Sequence, residues 1–305
     1  MKVIIKRTLE ETLRIPAVIL VILAGLAGGF IAGKAGSITT TPAYVTYLNE
    51  RLLVQHLAVF FLINGVILMS IVSSVGSGLI AGEVHEGTIR LLVSKPNSRR
   101  SILLGKVLGM LGGSVILMIL GLSTFYLTET IKGQFDGNIM MDLLCYFPAY
   151  IMYGLIVIFF FSSLAVLLSC LAKKRIIALL PMMFLIIAIT AIPVIVRVVL
   201  MIANKTYPSD LLYYADVNYH FGSLFGWCCD FYGGIKGTTG QLQMPTILMG
   251  IFQEVALDKD VTHVSNSSMM LANDVIPKRV IVIMYGVLTV FNYAASFSII
   301  SRKDV

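Results

Sequence analysis

Residues 82–101 read GEVHEGTIRLLVSKPNSRRS, a short polar interruption in a chain that is mostly apolar. Glu83, His85, Glu86, Arg90, Lys95, Arg99 and Arg100 place seven titratable side chains within eighteen residues, between apolar runs at 57–81 and 102–127. Leu91, Leu92 and Val93 lie among these charges. Pro96 cannot continue a helix begun near Glu83, because its ring removes a backbone donor and clashes with the preceding turn. The pattern predicts a short amphipathic helix over 83–95, lying at a membrane surface, then a turn that sends the chain back into the bilayer.

Composition agrees with a membrane setting. Of 305 residues, 57% are hydrophobic and only 13% are charged, and the mean hydropathy is +0.90. Soluble domains carry about a quarter charged residues, so the chain reads as an integral membrane protein. The net charge of +7 comes from basic residues that flank apolar runs, which reports topology and not a nucleic-acid footprint. Cys145, Cys170, Cys228 and Cys229 have no metal-ligand or CxxC spacing. The first apolar run, from Ile15, is long enough to span and lacks a small-residue exit, so no cleavable leader is expected.

Working outward, six apolar segments follow one another at roughly 15–36, 57–81, 102–127, 146–171, 176–203 and 280–300. Each is long enough for about 30 Å of hydrocarbon at about 1.5 Å per residue. Residues 2–14 carry Ile5, Leu9 and Leu13 at helical spacing among charges, which predicts an interfacial helix. Placing 1–14, 82–106, 172–175 and 301–305 on the cytoplasmic side collects 14 of the 23 Lys and Arg there, with five of the 16 acidic residues. Basic residues in short loops set orientation, so both termini are expected in the cytoplasm, in a multi-pass protein of the plasma membrane.

Two spans carry glycine at every fourth position: Gly25, Gly29 and Gly33 in the first, Gly105, Gly109 and Gly113 in the third. Such rows let helix backbones approach closely, so these faces are expected to pack within or between subunits. Pro181 and Pro193 predict kinks in the fifth span, and Arg197 near its outer end is explained by snorkelling. The external segment 204–279 is aromatic and glycine-rich. Its stretches 220–226 and 245–255 are apolar enough to dip into the interface, with the aromatics as headgroup anchors.

Catalytic chemistry has little to work with. His85–Glu86 begins a metalloprotease-like HExxH, but Ile89 stands where the second histidine is needed. Glu10–Glu11 with Arg14 is one residue short of the EExxxR of intramembrane prenyl-peptide proteases. His56, His220 and His263 are isolated and read as interfacial or solvent histidines. No GxxxxGK[ST] phosphate loop occurs, so the chain does not bind ATP through that fold. No Asp or Glu lies between the expected span ends, which argues against a proton- or sodium-coupled carrier. Two readings remain from the residues alone: a transport subunit driven from outside, or a membrane-integral enzyme or assembly factor acting through the external segment.

The string SGLIAGEVHEGTIRLLVSKPNSRRSILLGKVLG, from Ser77 to Gly109, resembles the signature region of type-2 ABC transporter permeases, the exporter-class membrane subunits. The matching elements are Glu83, Gly87–Thr88, Leu91–Leu92, Pro96–Asn97–Ser98–Arg99 and Leu103–Leu104–Gly105–Lys106. The resemblance implies one permease domain over 1–305, all-α, with six spans and no ATPase site of its own. It implies a separate ABC ATPase that binds the ATP and Mg, and a second permease copy, identical or homologous. On this reading 83–95 is the coupling helix. Ile89, Leu92 and Val93 anchor it in the ATPase, Glu83, Glu86 and Arg90 form a charged rim, and Gly87–Thr88 belong to the same contact. A path lined by Met, Phe and Leu would suit a hydrophobic or amphipathic substrate. Segment 204–279 is longer than the re-entrant hairpin the family leads one to expect.

Overall fold

The computed structural model describes residues 1–34, 44–87, 98–133, 137–203, 205, 207–236, 241–254, 271–272 and 275–302. Among these, six helical stretches are long and apolar enough to cross a membrane: Ile15–Lys34, Tyr47–His85, Arg99–Gly133, Gly137–Leu171, Arg175–Ile202 and Lys278–Arg302. The architecture is all-α, apart from a two-residue parallel pairing of Gln253–Glu254 with Leu271–Ala272.

Helix α1 (Lys2–Thr12) precedes the first span, α2 (Ile15–Lys34). Val21, Ala24, Gly25, Gly28, Gly29, Ala32 and Gly33 make one buried stripe on α2. The stripe lies against the C-terminal half of the third span, α6 (Arg99–Gly133). A methyl group at Gly25 would collide with Thr124, one at Gly29 with the Phe125 carbonyl, and one at Gly33 would lie 2.8 Å from Lys132 Cβ. The N-terminal half of α6 does the same with α1: a Cβ at Gly109 would sit 2.6 Å from the Ile5 carbonyl oxygen and one at Gly113 2.6 Å from Thr12 Cβ. Near Gly105 the neighbour is Ile4. Both glycine rows therefore pack inside the chain, and α1 lies against α6 along the second of them.

The second span starts earlier than hydropathy suggests. It comprises α3 (Tyr44–Ala58), a π-helical stretch (Val59–Ile67), α4 (Leu68–Gly78) and a short α5 (Ala81–His85). Polar residues made 44–56 look like an external connection, but Arg51, Gln55 and His56 each have a buried partner. Arg51 Nη1 donates to the Ala32 and Gly33 carbonyls at 2.6 and 2.7 Å, satisfying acceptors that the end of α2 leaves open. Gln55 Nε2 donates to the Tyr126 hydroxyl at 2.7 Å. His56 Nδ1 shares a 2.7 Å bond with the Tyr150 hydroxyl. His56 is thus a core residue, as is His220, 3.2 Å from the Tyr285 hydroxyl; His263 lies outside the described residues. The π stretch ends its regular geometry at Gly65 (φ −80°, ψ −109°), next to Asn64, whose Nδ2 donates to the Tyr150 carbonyl at 2.9 Å.

The third span is also longer than expected, and it brings Glu129 inside the helix, 1% exposed. The expectation that no carboxylate lies within a span is corrected accordingly. Helices α7 (Gly137–Leu144) and α8 (Phe147–Leu171) make the fourth span. The fifth is α9 (Arg175–Thr190) and α10 (Ile192–Ile202). It breaks at Ala191, just ahead of Pro193, and runs through Pro181 without interruption. The sixth is α14 (Lys278–Arg302).

Between the fifth and sixth spans lie α11 (Ser209–Tyr214), α12 (Val217–Asp230) and α13 (Gln243–Met249). Helix α12 is part of the core. Tyr219, Phe221, Leu224, Phe225, Cys228 and Cys229 are each 1% exposed or less. Phe225 stacks on Tyr150 (centroids 5.8 Å) and meets Tyr153 and Phe60 edge-on. Glycine and serine at 222, 223 and 226 thin the helix so that it fits. An interfacial position for 220–226 is therefore corrected to a buried one.

Candidate functional site

Where the second span ends and the polar segment begins, the chain is held by side chains from three other spans. The turn at Leu79–Ile80 leaves backbone groups unpaired at the start of α5, all of them buried. Ser169 of α8 supplies the missing partner: its Oγ accepts from Ile80 N and Ala81 N, each at 3.0 Å, and donates to the Ser77 carbonyl at 3.0 Å. Lys106 of α6 reaches the same turn. Its Nζ donates to the Leu79 carbonyl at 2.6 Å and lies 2.5 Å from Glu83 Oε2. The two charged side chains are 8% and 16% exposed. Arg175, at the start of α9, donates to the Ser74 carbonyl and hydroxyl at 3.1 and 2.9 Å. Gly76 lets α4 approach α8, since a Cβ there would lie 2.6 Å from that of Ala165.

The family resemblance placed Glu83 on a partner-facing rim and gave Lys106 only as a motif residue. The structure instead pairs them with each other, twenty-three positions apart, across the two ends of the polar segment. Glu86 and Gly87 are exposed beyond this clamp. Gly87 adopts φ +70°, a left-handed conformation that closes a helical turn and that side-chain-bearing residues rarely adopt. The helical turn thus starts before Glu83 and stops at Gly87, so one unbroken helix over 83–95 is corrected. Thr88, Ile89, Arg90, Leu92 and Val93 lie outside the described residues.

A second polar centre sits at the opposite end of the fifth span. Arg197 of α10 is fully buried and ion-paired through Nη2 with Asp216 Oδ2. Its Nη1 donates to Asn218 Oδ1 at 2.8 Å and to the Ile247 carbonyl at 3.0 Å. Tyr207 donates to the same Asp216 oxygen at 2.8 Å. Asp216 Oδ1 caps α12 by accepting from Tyr219 N at 2.8 Å. Gly250, at φ +71°, passes so close that a Cβ would lie 2.6 Å from Arg197 Nη2. Snorkelling is therefore corrected: Arg197 is the pin that fastens α12 and α13 to the fifth span. Burial raises the Tyr207 hydroxyl pKa, with the Asp216 charge adding to it. It also pushes the Cys228 thiol up to about 12 and the Cys229 thiol well above the ordinary range.

The family described as ABC-2 family transporter protein matches residues 61–248. The chain belongs to that family. Comparison with curated proteins finds no match. The matched region opens in the π stretch, contains the whole polar segment with Ser169, Lys106 and Arg175, and closes in α13 just beyond the Arg197 centre. This ABC-2 chain is a multi-pass membrane protein and a permease component of an ABC transporter. Ser169 and Asp216 escaped the sequence reading, and Arg197 was noticed but given a different role. An arginine inside an apolar run, followed by a lone aspartate after the span, was the available signal for the last two. Nothing in the sequence marks Ser169.

Proposed function

We propose that this ABC-2 chain is the membrane subunit of an exporter that moves a hydrophobic or amphipathic substrate outward, driven by a separate ABC ATPase. The whole chain acts as one permease domain with both termini in the cytoplasm, paired with a second permease copy in the plasma membrane. ATP and Mg bind the ATPase, and the chain contributes no catalytic or cofactor site. The ATPase docks on the polar segment 82–101. Glu86 and Gly87 meet it directly, and Thr88, Ile89, Arg90, Leu92 and Val93 continue the contact. Glu83 acts from behind, through Lys106.

The observation that carries this reading is the Lys106–Glu83 pair at 2.5 Å, together with Lys106 on the Leu79 carbonyl. One cation ties the end of the second span to the start of the third, so a push on the segment between them moves both helices as one body. The test is to co-purify the chain with its ATPase and compare the native segment with a scrambled 83–93. Loss of docking and of stimulated ATP hydrolysis is expected. Undiminished docking and stimulation would reject the assignment.

A further inference from the structure

Beside the clamp, a cavity of about 150 Å³ opens between α1, the end of the second span and the start of α9. It is lined by four basic side chains, Arg7, Arg14, Lys106 and Arg175, and by Glu11, Glu83 and Glu86. Two of the acids are already engaged: Glu11 with Arg7 at 3.3 Å and Glu83 with Lys106 at 2.5 Å. Arg14 has no side-chain partner among the described residues, and Arg175 is bonded only through Nη2, to Ser74, leaving Nη1 and Nε open. Glu86 is the acid left to balance these two guanidiniums, and it is exposed at the edge.

The cavity's depth in the membrane narrows the ligand. Arg14 immediately precedes the first span at Ile15, and Arg175 opens the fifth. Both therefore stand at the level of the headgroups of one leaflet, where phosphate is the abundant anion. A guanidinium fork matches phosphate oxygens with paired hydrogen bonds. We propose that this cavity binds a phosphate group, held by Arg14 and Arg175. The bound group braces the corner between α1 and α2 against the fifth span, directly beside Glu83. A phospholipid headgroup and a soluble phosphate ester share this chemistry.

The test uses the full-length chain, delipidated in detergent, with binding followed by native mass spectrometry. Phosphatidylglycerol is one probe and glycerol 3-phosphate the other. Saturable retention of phosphatidylglycerol is expected, roughly tenfold weaker in Arg14→Gln and weaker again in the Arg14→Gln, Arg175→Gln pair. Arg302→Gln, at the far end of α14, should leave retention unchanged. Because the Arg14 side chain makes no hydrogen bond or ion pair among the described residues, its single variant reads binding even if the double variant unfolds. Competition by glycerol 3-phosphate would support a soluble phosphate; retention without competition would support a lipid headgroup. Equal retention by wild type and Arg14→Gln, or no saturable binding of either probe, would overturn the site.

Discussion

Two ion pairs hold this bundle together at opposite ends, and they are built differently. On the proposed topology Arg197 marks the outer end; it is fully buried, and its partners come from α12 and from the backbone of α13. Every contact makes the external segment part of the same body as the fifth span. On the same topology Lys106 marks the inner end; it has a carboxylate and a carbonyl, both on the second span, and its partner Glu83 is 16% exposed. Beyond it Glu86 and Gly87 are exposed. A buried, many-partnered pair is expensive to break, whereas a smaller pair at the base of an exposed turn can transmit force without fixing what the turn touches. The outer centre is a fastening, and the inner one a linkage.

The largest effect should come from breaking the fastening. Arg197→Gln leaves Asp216 charged and buried without its cation. It should lower stability by about 3–5 kcal/mol, read as a fall in the thermal unfolding temperature of the purified chain. Adding Asp216→Asn should recover part of the loss, because the uncompensated charge is then gone. Recovery would confirm a charge-driven pin; no recovery would shift the weight to the Asn218 and Ile247 contacts.

Gly222→Ala tests the same end through packing. Its new methyl group would collide with the Met249 backbone carbonyl, which cannot rotate away. About 2–3 kcal/mol of stability should be lost, measured in the same assay, as the helix is forced off α13. At the inner end, Ser169→Ala removes the acceptor for Ile80 N and Ala81 N and should cost about 1–3 kcal/mol. Unlike the outer variants, it should also reduce stimulation of the partner ATPase. If ATPase stimulation falls equally in Gly222→Ala at matched folded fraction, the contrast between the two ends fails.

The smallest perturbation sharpens the comparison without a mutation. Burial pushes the Cys228 thiol up to about 12 and the Cys229 thiol well above its ordinary range, so at pH 8 neither supplies a thiolate in the folded state. Cys170 is buried and Cys145 exposed. A maleimide should modify one thiol per folded chain and four after denaturation, counted by mass. Given intact cells and a membrane-impermeant maleimide, labelling of Cys145 would place that end outside, as the proposed topology requires.

Much of the fold was legible because hydrophobic length is a local signal. Six runs of apolar residues announced six spans, and the string from Ser77 to Gly109 announced the family. What could not be read depends on partners remote in sequence. Arg51, Gln55 and His56 look like a surface stretch until α2, Tyr126 and Tyr150 satisfy them. The stretch HFGSLFGWCC from His220 could equally lie on a membrane surface or enter a core, and only the cage of Phe60, Tyr150 and Tyr153 decides it. Glu83 and Lys106 were each visible as motif residues. Their pairing was not, since it requires the polar segment to close on itself.

The claim that most needs testing is that spans two and three move together. Spin labels at Val66 and Ile119, which are 38% and 41% exposed on the second and third spans, would report their separation. The measurement compares the nucleotide-free and nucleotide-bound complex with the ATPase, in a background without native cysteines. An unchanged distance distribution is predicted for the otherwise native chain, and a broader, nucleotide-dependent one for Lys106→Met. A nucleotide-dependent change with Lys106 in place would contradict the account.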